Sequence, residues 1–414
     1  MPHHPMKYTE RIITLMMIIA LILGTLFTGR GLYLLGIAEE KPNDLALRWR
    51  EVKYVSSGTN PYDISDYLYR KENTLPLPAR PARIDPQLGG TPVASGYPPW
   101  AFFWSFPFIP PVDWGYARAW FFGLNVISLA FLGIYAWRGT VSYSPMQRLF
   151  PVACVFSMNA IGTTLGNGQW GIILCALLAI TSLTLRRGAT TFPALIYATS
   201  LLKPTFGFTH AAVFLRGNSW RALLLAGLFT ASSWLAVSWH VGIDPLGMLR
   251  QMLEQTARWN DVSYSIPDTL AAIGIPRNVA MLGCLVTGVV AAACILGVRP
   301  RGHLYELAVC ATLARVFAYH QLYDNVLMVF LVIAIARLTL QRARTDDFAM
   351  LSALLVSVWI PGRFTSLFAI QSFQIVVWLY ALGWLMKAVS EKDRNIHEMS
   401  SLPLSNSSTP NSYL

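Results

Sequence analysis

Long apolar runs separated by short charged turns organise the chain. The runs cover approximately residues 12–28, 116–137, 149–165, 171–185, 192–202, 206–215, 223–241, 279–298, 304–317, 326–338, 348–360 and 366–386. Several approach the roughly 20 residues a helix needs to cross a hydrocarbon layer, and several are shorter. The pattern predicts an all-α, polytopic integral membrane protein of about 10–12 transmembrane helices, since a lipid-facing backbone must satisfy its polar groups internally. The first run follows Lys7 and Arg11. It is longer than a signal-peptide core and lacks an A-x-A cleavage site, so it reads as an uncleaved first helix.

The turns carry direction. Arg138 and Arg148, Arg186 and Arg187, Arg216 and Arg221, Arg299 and Arg301, then Arg337, Arg342 and Arg344 mark every second connection. Lys and Arg are retained on the cytoplasmic side, so both termini are expected in the cytoplasm. The opposite face then receives two long polar loops, 38–113 and 244–277, expected to carry short helices. Residues 1–389 form one transmembrane domain in this reading, and 390–414, rich in Ser and Asn, form a disordered cytoplasmic tail. Lys203-Pro204 falls midway between arginines at 187 and 216, so 192–215 is expected as a hairpin of two short helices or a re-entrant pair. Proline breaks a helix, and such breaks occur at membrane depth where backbone lines a cavity.

Composition agrees. Of 414 residues, 54% are hydrophobic and only 13% charged, about half the share of a soluble domain. The net charge of +11 is of the size a nucleic-acid surface carries, but the cations sit mostly beside apolar runs and are explained by topology, so no nucleic-acid partner is expected. The five cysteines all lie in apolar segments without a CxxC pair, which excludes a disulfide scaffold and a thiolate zinc site; they read as small packing residues.

Candidate chemistry concentrates on the loop-bearing face. Gly166-Asn167-Gly168-Gln169-Trp170-Gly171 matches G-x-G-x-x-G, but apolar helices flank it where a dinucleotide site needs a βαβ unit. It reads instead as a glycine-rich turn exposing Gln169. In the first loop Asp44 stands shortly after the first helix, with Arg48 on the same face if the segment is helical; the bland reading is a surface ion pair or a helix cap. Gly58-Thr59-Asn60-Pro61-Tyr62 follows, then Tyr97-Pro98-Pro99-Trp100, a rigid aromatic return to the interface. Lys203, Arg315, His320 and Asp324 are ionisable groups in or beside apolar runs, where each needs a partner or a cavity. His320 and Asp324 are four apart and meet if helical. Asp63, Asp66, Asp85 and Asp261 are the outer-loop carboxylates available to a divalent metal, but they lack the spacing of a ligand set, and no cofactor is expected.

A carboxylate and cations facing one cavity have the parts for moving a group off a phosphate: a base for the attacking hydroxyl and positive charge for the leaving phosphate. The order Asp44, Gly58–Tyr62, Tyr97-Pro98-Pro99, Gly168-Gln169, Lys203-Pro204, His320 and Tyr323-Asp324 resembles that of family 87 glycosyltransferases of the GT-C superfamily, over about residues 6–386. The resemblance implies a GT-C fold with an extracytoplasmic site, in a bacterial inner membrane. It implies a polyprenyl-phosphate sugar donor and a lipid or glycan acceptor. By it Asp44 is the general base, His320 and Lys203 bind the donor phosphate, and Arg48, Tyr62, Tyr97, Gln169, Tyr323 and Asp324 line the substrate groove. Two departures bear on the sugar and acceptor. Members often show paired histidines where this chain has His320-Gln321, and a tyrosine-rich stretch where it has Leu45-Ala46-Leu47-Arg48. A transporter or flippase using the break at Lys203-Pro204 as a midplane site is the main alternative, and a non-catalytic assembly partner the third.

Overall fold

The computed structural model describes residues 4–39, 43–78, 96–140, 143–215, 219–257, 265–297, 302–364 and 367–401. Among them there are helices and turns but no strands. Among the described residues, six helical stretches are long and apolar enough to cross a membrane: Glu10–Gly36, Trp114–Arg138, Trp220–Val241, Arg277–Gly297, Leu322–Arg342 and Phe368–Glu391. The protein is therefore a multi-pass membrane protein. The larger number expected is reached only by counting shorter and bent helices.

In chain order, α1 (His4–Gly36) is followed by three loop helices, α2 (Asn43–Ser56), α3 (Pro61–Glu72) and α4 (Pro99–Ser105), before α5 (Trp114–Arg138). The single apolar run at 149–165 proves to be two helices, α6 (Pro145–Phe156) and α7 (Asn159–Asn167), bent by 51°. Then come α8 (Gly171–Leu185), α9 (Thr191–Ser200), and two single turns, α10 (Pro204–Gly207) and α11 (Ala211–Phe214). After α12 (Trp220–Val241) the second loop supplies α13 (Pro245–Ala257) and α14 (Ile266–Ala272). The chain ends with α15 (Arg277–Gly297), α16 (His303–Phe317), α17 (Val329–Arg342), α18 (Thr345–Trp359) and α19 (Phe368–Ser401). The last helix continues to Ser401 rather than ending near 389, because 390–401 contains neither Pro nor Gly; residues 402–414 lie outside the described residues.

The core is the set of helices buried on nearly every side. In α16 and α17 almost every side chain is buried, whereas α12 and α15 keep exposed large hydrophobics such as Leu224, Leu228, Leu282 and Val286, as lipid-facing helices do. Glycine sets one close crossing. A Cβ on Gly31 of α1 would lie 2.5 Å from the Gly162 carbonyl oxygen of α7, and one on Gly162 would collide with the Phe27 carbonyl. The membrane-side end of the first loop is tied by Arg118 of α5, whose guanidinium donates to the carbonyls of Leu35 (2.6 Å), Ala38 (2.7 Å) and Leu34 (2.9 Å). These are orphan acceptors at the end of α1, so one side chain both caps α1 and sets where the chain leaves for Asp44. Four of the five cysteines are buried as expected, and Cys294 is exposed.

Candidate active site

Two helix breaks meet a loop here. At the first, α9 ends and Lys203 takes φ −120°, ψ 90° ahead of Pro204, the extended conformation a residue before proline adopts. At the second, α16 ends at Phe317 and the chain runs extended until a 3₁₀ turn, Leu322–Met328, leads into α17. The two breaks are joined by an ion pair: Lys203 Nζ lies 2.5 Å from Asp324 Oδ1. Asp324 is 1% exposed. Its Oδ2 accepts from the Gln321 backbone N–H at 3.0 Å, and the Gln321 side chain reciprocates as a capping box on the turn.

His320 does meet Asp324, although not on a helix. Its Nδ1 lies 3.2 Å from Asp324 Oδ2 and its Nε2 3.0 Å from the Ala314 carbonyl oxygen. The ring also packs edge-on against Phe206, and the side chain has no exposed surface. Both nitrogens are engaged, so His320 stands behind Asp324, and the cation that reaches the open side is Lys203, 15% exposed. The Lys203 ammonium lies 5.0 Å from the ring centroids of both Phe206 and Tyr323, a cation between two faces. One turn deeper, Arg315 donates to Asn325 Oδ1 at 2.6 Å and lies against the Trp378 ring.

The first loop supplies the facing side. Arg48 is buried and pairs with Glu51 at 2.6 Å, not with Asp44 as its spacing suggested. The i,i+3 carboxylate lies inward along α2, and the guanidinium stacks over the Tyr97 ring at 4.4 Å. Tyr97 Oη is 3.5 Å from Gln169 Oε1. Gln169 is 6% exposed, so the glycine-rich turn presents it inward to Tyr97 rather than to solvent. Gly168 is the residue that makes this possible: its φ of 68° ends α7 in the left-handed region, which glycine adopts at no steric cost. Burial raises the Tyr97 and Tyr62 phenols above their ordinary pKa, so both remain protonated. The Tyr62 hydroxyl donates to the Tyr97 backbone carbonyl. Tyr62 is 1% exposed and so supports the groove instead of lining it.

Asp44 sits in the first turn of α2, half-buried. Among the described residues its carboxylate has no hydrogen bond and no ion pair, and its charge acts on the phenols of both Tyr97 and Tyr323, as does that of Asp324. Asp44 and Asp324 thus act on the same two rings, and Lys203 lies over one of them, Tyr323. Sequence reasoning missed Glu51, Asn325, Gln251 and Gln255; each is an ordinary polar residue at a helical position with no local signal. Among the described residues no three His, Cys, Asp or Glu side chains cluster as a metal site. Of the four metal candidates, Asp63 is engaged by Gln251 and Asp66 by Arg70, while Asp85 and Asp261 lie outside the described residues.

The model of glycosyltransferase family 87 matches residues 96–322. The match takes in Tyr97, Gln169, Lys203 and His320 and stops just short of Tyr323-Asp324; Asp44, Arg48 and Tyr62 precede it. No curated protein and no solved structure matches the chain.

Proposed function

Since the chain belongs to glycosyltransferase family 87, we propose that it is an inverting transferase that moves a sugar, mannose or another hexose or pentose, from a polyprenyl-phosphate donor to a lipid or glycan acceptor. The observation that carries this reading is the position of Asp44. It is a half-buried carboxylate without a hydrogen-bond partner among the described residues, and its charge acts on the same two tyrosines as that of Asp324, the ion-pair partner of Lys203. In the reaction the acceptor hydroxyl oxygen attacks the anomeric carbon from the side opposite the phosphate. Its proton passes to the Asp44 carboxylate as the bond from anomeric carbon to phosphate oxygen breaks. The electron pair leaves on the phosphate, and Lys203 receives the anion in exchange for part of its contact with Asp324. Single displacement inverts the anomeric centre. Phosphate leaves as an anion without a general acid, so one base suffices and the scheme uses no cofactor.

His320 holds Asp324 in this scheme, and through it Lys203, at the donor phosphate; Arg48 orients Tyr97, and Gln169 and Tyr323 complete the groove. The alternating arginines support a cytoplasmic location for both termini and an extracytoplasmic site; the family resemblance supports a bacterial inner membrane. The test is mass spectrometry of envelope lipids and glycans from cells lacking the gene, complemented with wild type or Asp44→Asn. The expected result is one sugar-bearing product restored by wild type alone. Restoration by Asp44→Asn, or movement of a lipid-linked substrate across proteoliposomes without any glycosylated product, overturns the assignment.

A further inference from the structure

The two long loops are bolted together by amides that neither the reaction scheme nor the membrane requires. Gln251 of α13 uses both ends of its side chain on α3 and its cap. Its Oε1 accepts from Asn60 Nδ2 at 2.7 Å, and its Nε2 donates to Asp63 Oδ1 at 2.8 Å. One turn on, Gln255, 2% exposed, donates from Nε2 to the Tyr62 carbonyl at 2.6 Å. Asn60 in turn caps α3 by accepting from the Tyr62 backbone N–H. Met248 of the same helix joins Tyr62 and Phe102 in a small cluster separate from the main core, and the Tyr62 and Phe102 rings pack edge-to-face at 5.4 Å.

The contacts form a directed chain. Gln255 holds the carbonyl of Tyr62; the hydroxyl of Tyr62 holds the carbonyl of Tyr97; the ring of Tyr97 carries Arg48 and its hydroxyl faces Gln169. Tyr97 directly precedes Pro98-Pro99, which lack N–H groups, so the backbone bond available to seat it on that side is the one at its carbonyl. Apolar contacts alone tolerate a slip between α13 and α3. Two amides with fixed donors and acceptors do not, because a slip leaves buried polar groups without partners.

We propose that Gln251 and Gln255 are positioning residues of the transferase: the second loop sets the placement of Tyr97, and with it the side of the groove facing Lys203, through Tyr62. The inference rests on the transferase reading for its kinetic consequence, but the placement of Tyr97 is measurable without any reaction. Misplacing a substrate-orienting group by about 1 Å can cost on the order of 100-fold in rate.

The decisive variants are Gln251→Glu and Gln251→Glu/Asp63→Asn. The single change sets a carboxylate against Asp63; the double change lets the new Asn donate to the new Glu while Asn60 still donates to it. Full-length protein in nanodiscs, carrying 3-fluorotyrosine at position 97, is followed by ¹⁹F NMR. The same variants, unlabelled, are assayed with synthetic polyprenyl-phosphate mannose and membrane lipid extract. The expected result is a shifted or broadened Tyr97 resonance in Gln251→Glu and in Gln255→Leu, and its return to the wild-type position in the double variant. A fall of about tenfold or more in kcat accompanies the shift and is relieved in the double variant. A Tyr97 signal unchanged in both single variants overturns the proposal. If the signal moves and is rescued while wild type turns over no polyprenyl-phosphate sugar, the transferase reading with this donor fails and the positioning of Tyr97 stands.

Discussion

Lys203 and Asp324 lie 121 residues apart in sequence, and their charged atoms lie 2.5 Å apart at the meeting of two helix breaks. The pair joins the proline break after α9 to the 3₁₀ turn before α17, with His320 behind the carboxylate and Tyr323 beside the ammonium. Breaking one partner of such a pair strands a charge in a dry place, which typically costs about 3–5 kcal/mol. Asp324→Asn is therefore expected to lower the thermal midpoint of the detergent-solubilised protein. Lys203→Gln/Asp324→Asn should lose less than the two single variants summed. Additivity of the two single changes would show that the pair carries no coupling.

Asp44 separates chemistry from stability. With no hydrogen-bond partner among the described residues, Asp44→Asn should leave the unfolding midpoint unchanged while transfer drops by about 10²–10⁴-fold, the range for loss of a general base. Turnover within a few-fold of wild type in a single-turnover assay would remove Asp44 from the mechanism.

Arg118 links the membrane helices to the site. Its guanidinium satisfies three carbonyls at the end of α1, and hydrogen bonds from a charged donor contribute about 1.5–3 kcal/mol each. Arg118→Met should destabilise by several kcal/mol, and Arg118→Lys by less, because an ammonium cannot reproduce the planar fork. Protease accessibility of the first loop checks the local consequence: it should rise in Arg118→Met under conditions where the remaining helices stay folded.

The crossing of α1 and α7 has no room for a methyl group. Gly162→Ala forces the Phe27 carbonyl aside and should cost about 1–3 kcal/mol, as overpacking does. Gly29→Ala, on the same helix as Gly31 but with open space around its Cβ position, is the control and should be neutral or slightly stabilising. Equal midpoints for the two variants would contradict the close approach.

Most of the architecture was legible along the chain because each membrane helix is a contiguous apolar run and several breaks are announced by their own residues. Pro204 and the Lys203 before it, the Pro98-Pro99 start of α4 and the Asn60-Pro61 start of α3 are local signals with local causes. The bend between α6 and α7 was hidden because both halves are equally apolar. The site was only half legible. Asp44, Lys203 and His320-Asp324 stand out as charges near the membrane, yet which of them pair is a question of distance between segments far apart in sequence.

By itself, then, the sequence determined an all-helical membrane protein and a short set of charged and aromatic candidates. Hydrophobic run length and proline chemistry act locally, and that is enough for both. Tertiary structure alone decided that Lys203 takes Asp324, that Gln169 turns inward to Tyr97, and that Gln255 holds Tyr62. In a low-dielectric interior each polar group must find a partner, and which one it finds depends on which helices pack together, a property no single segment carries.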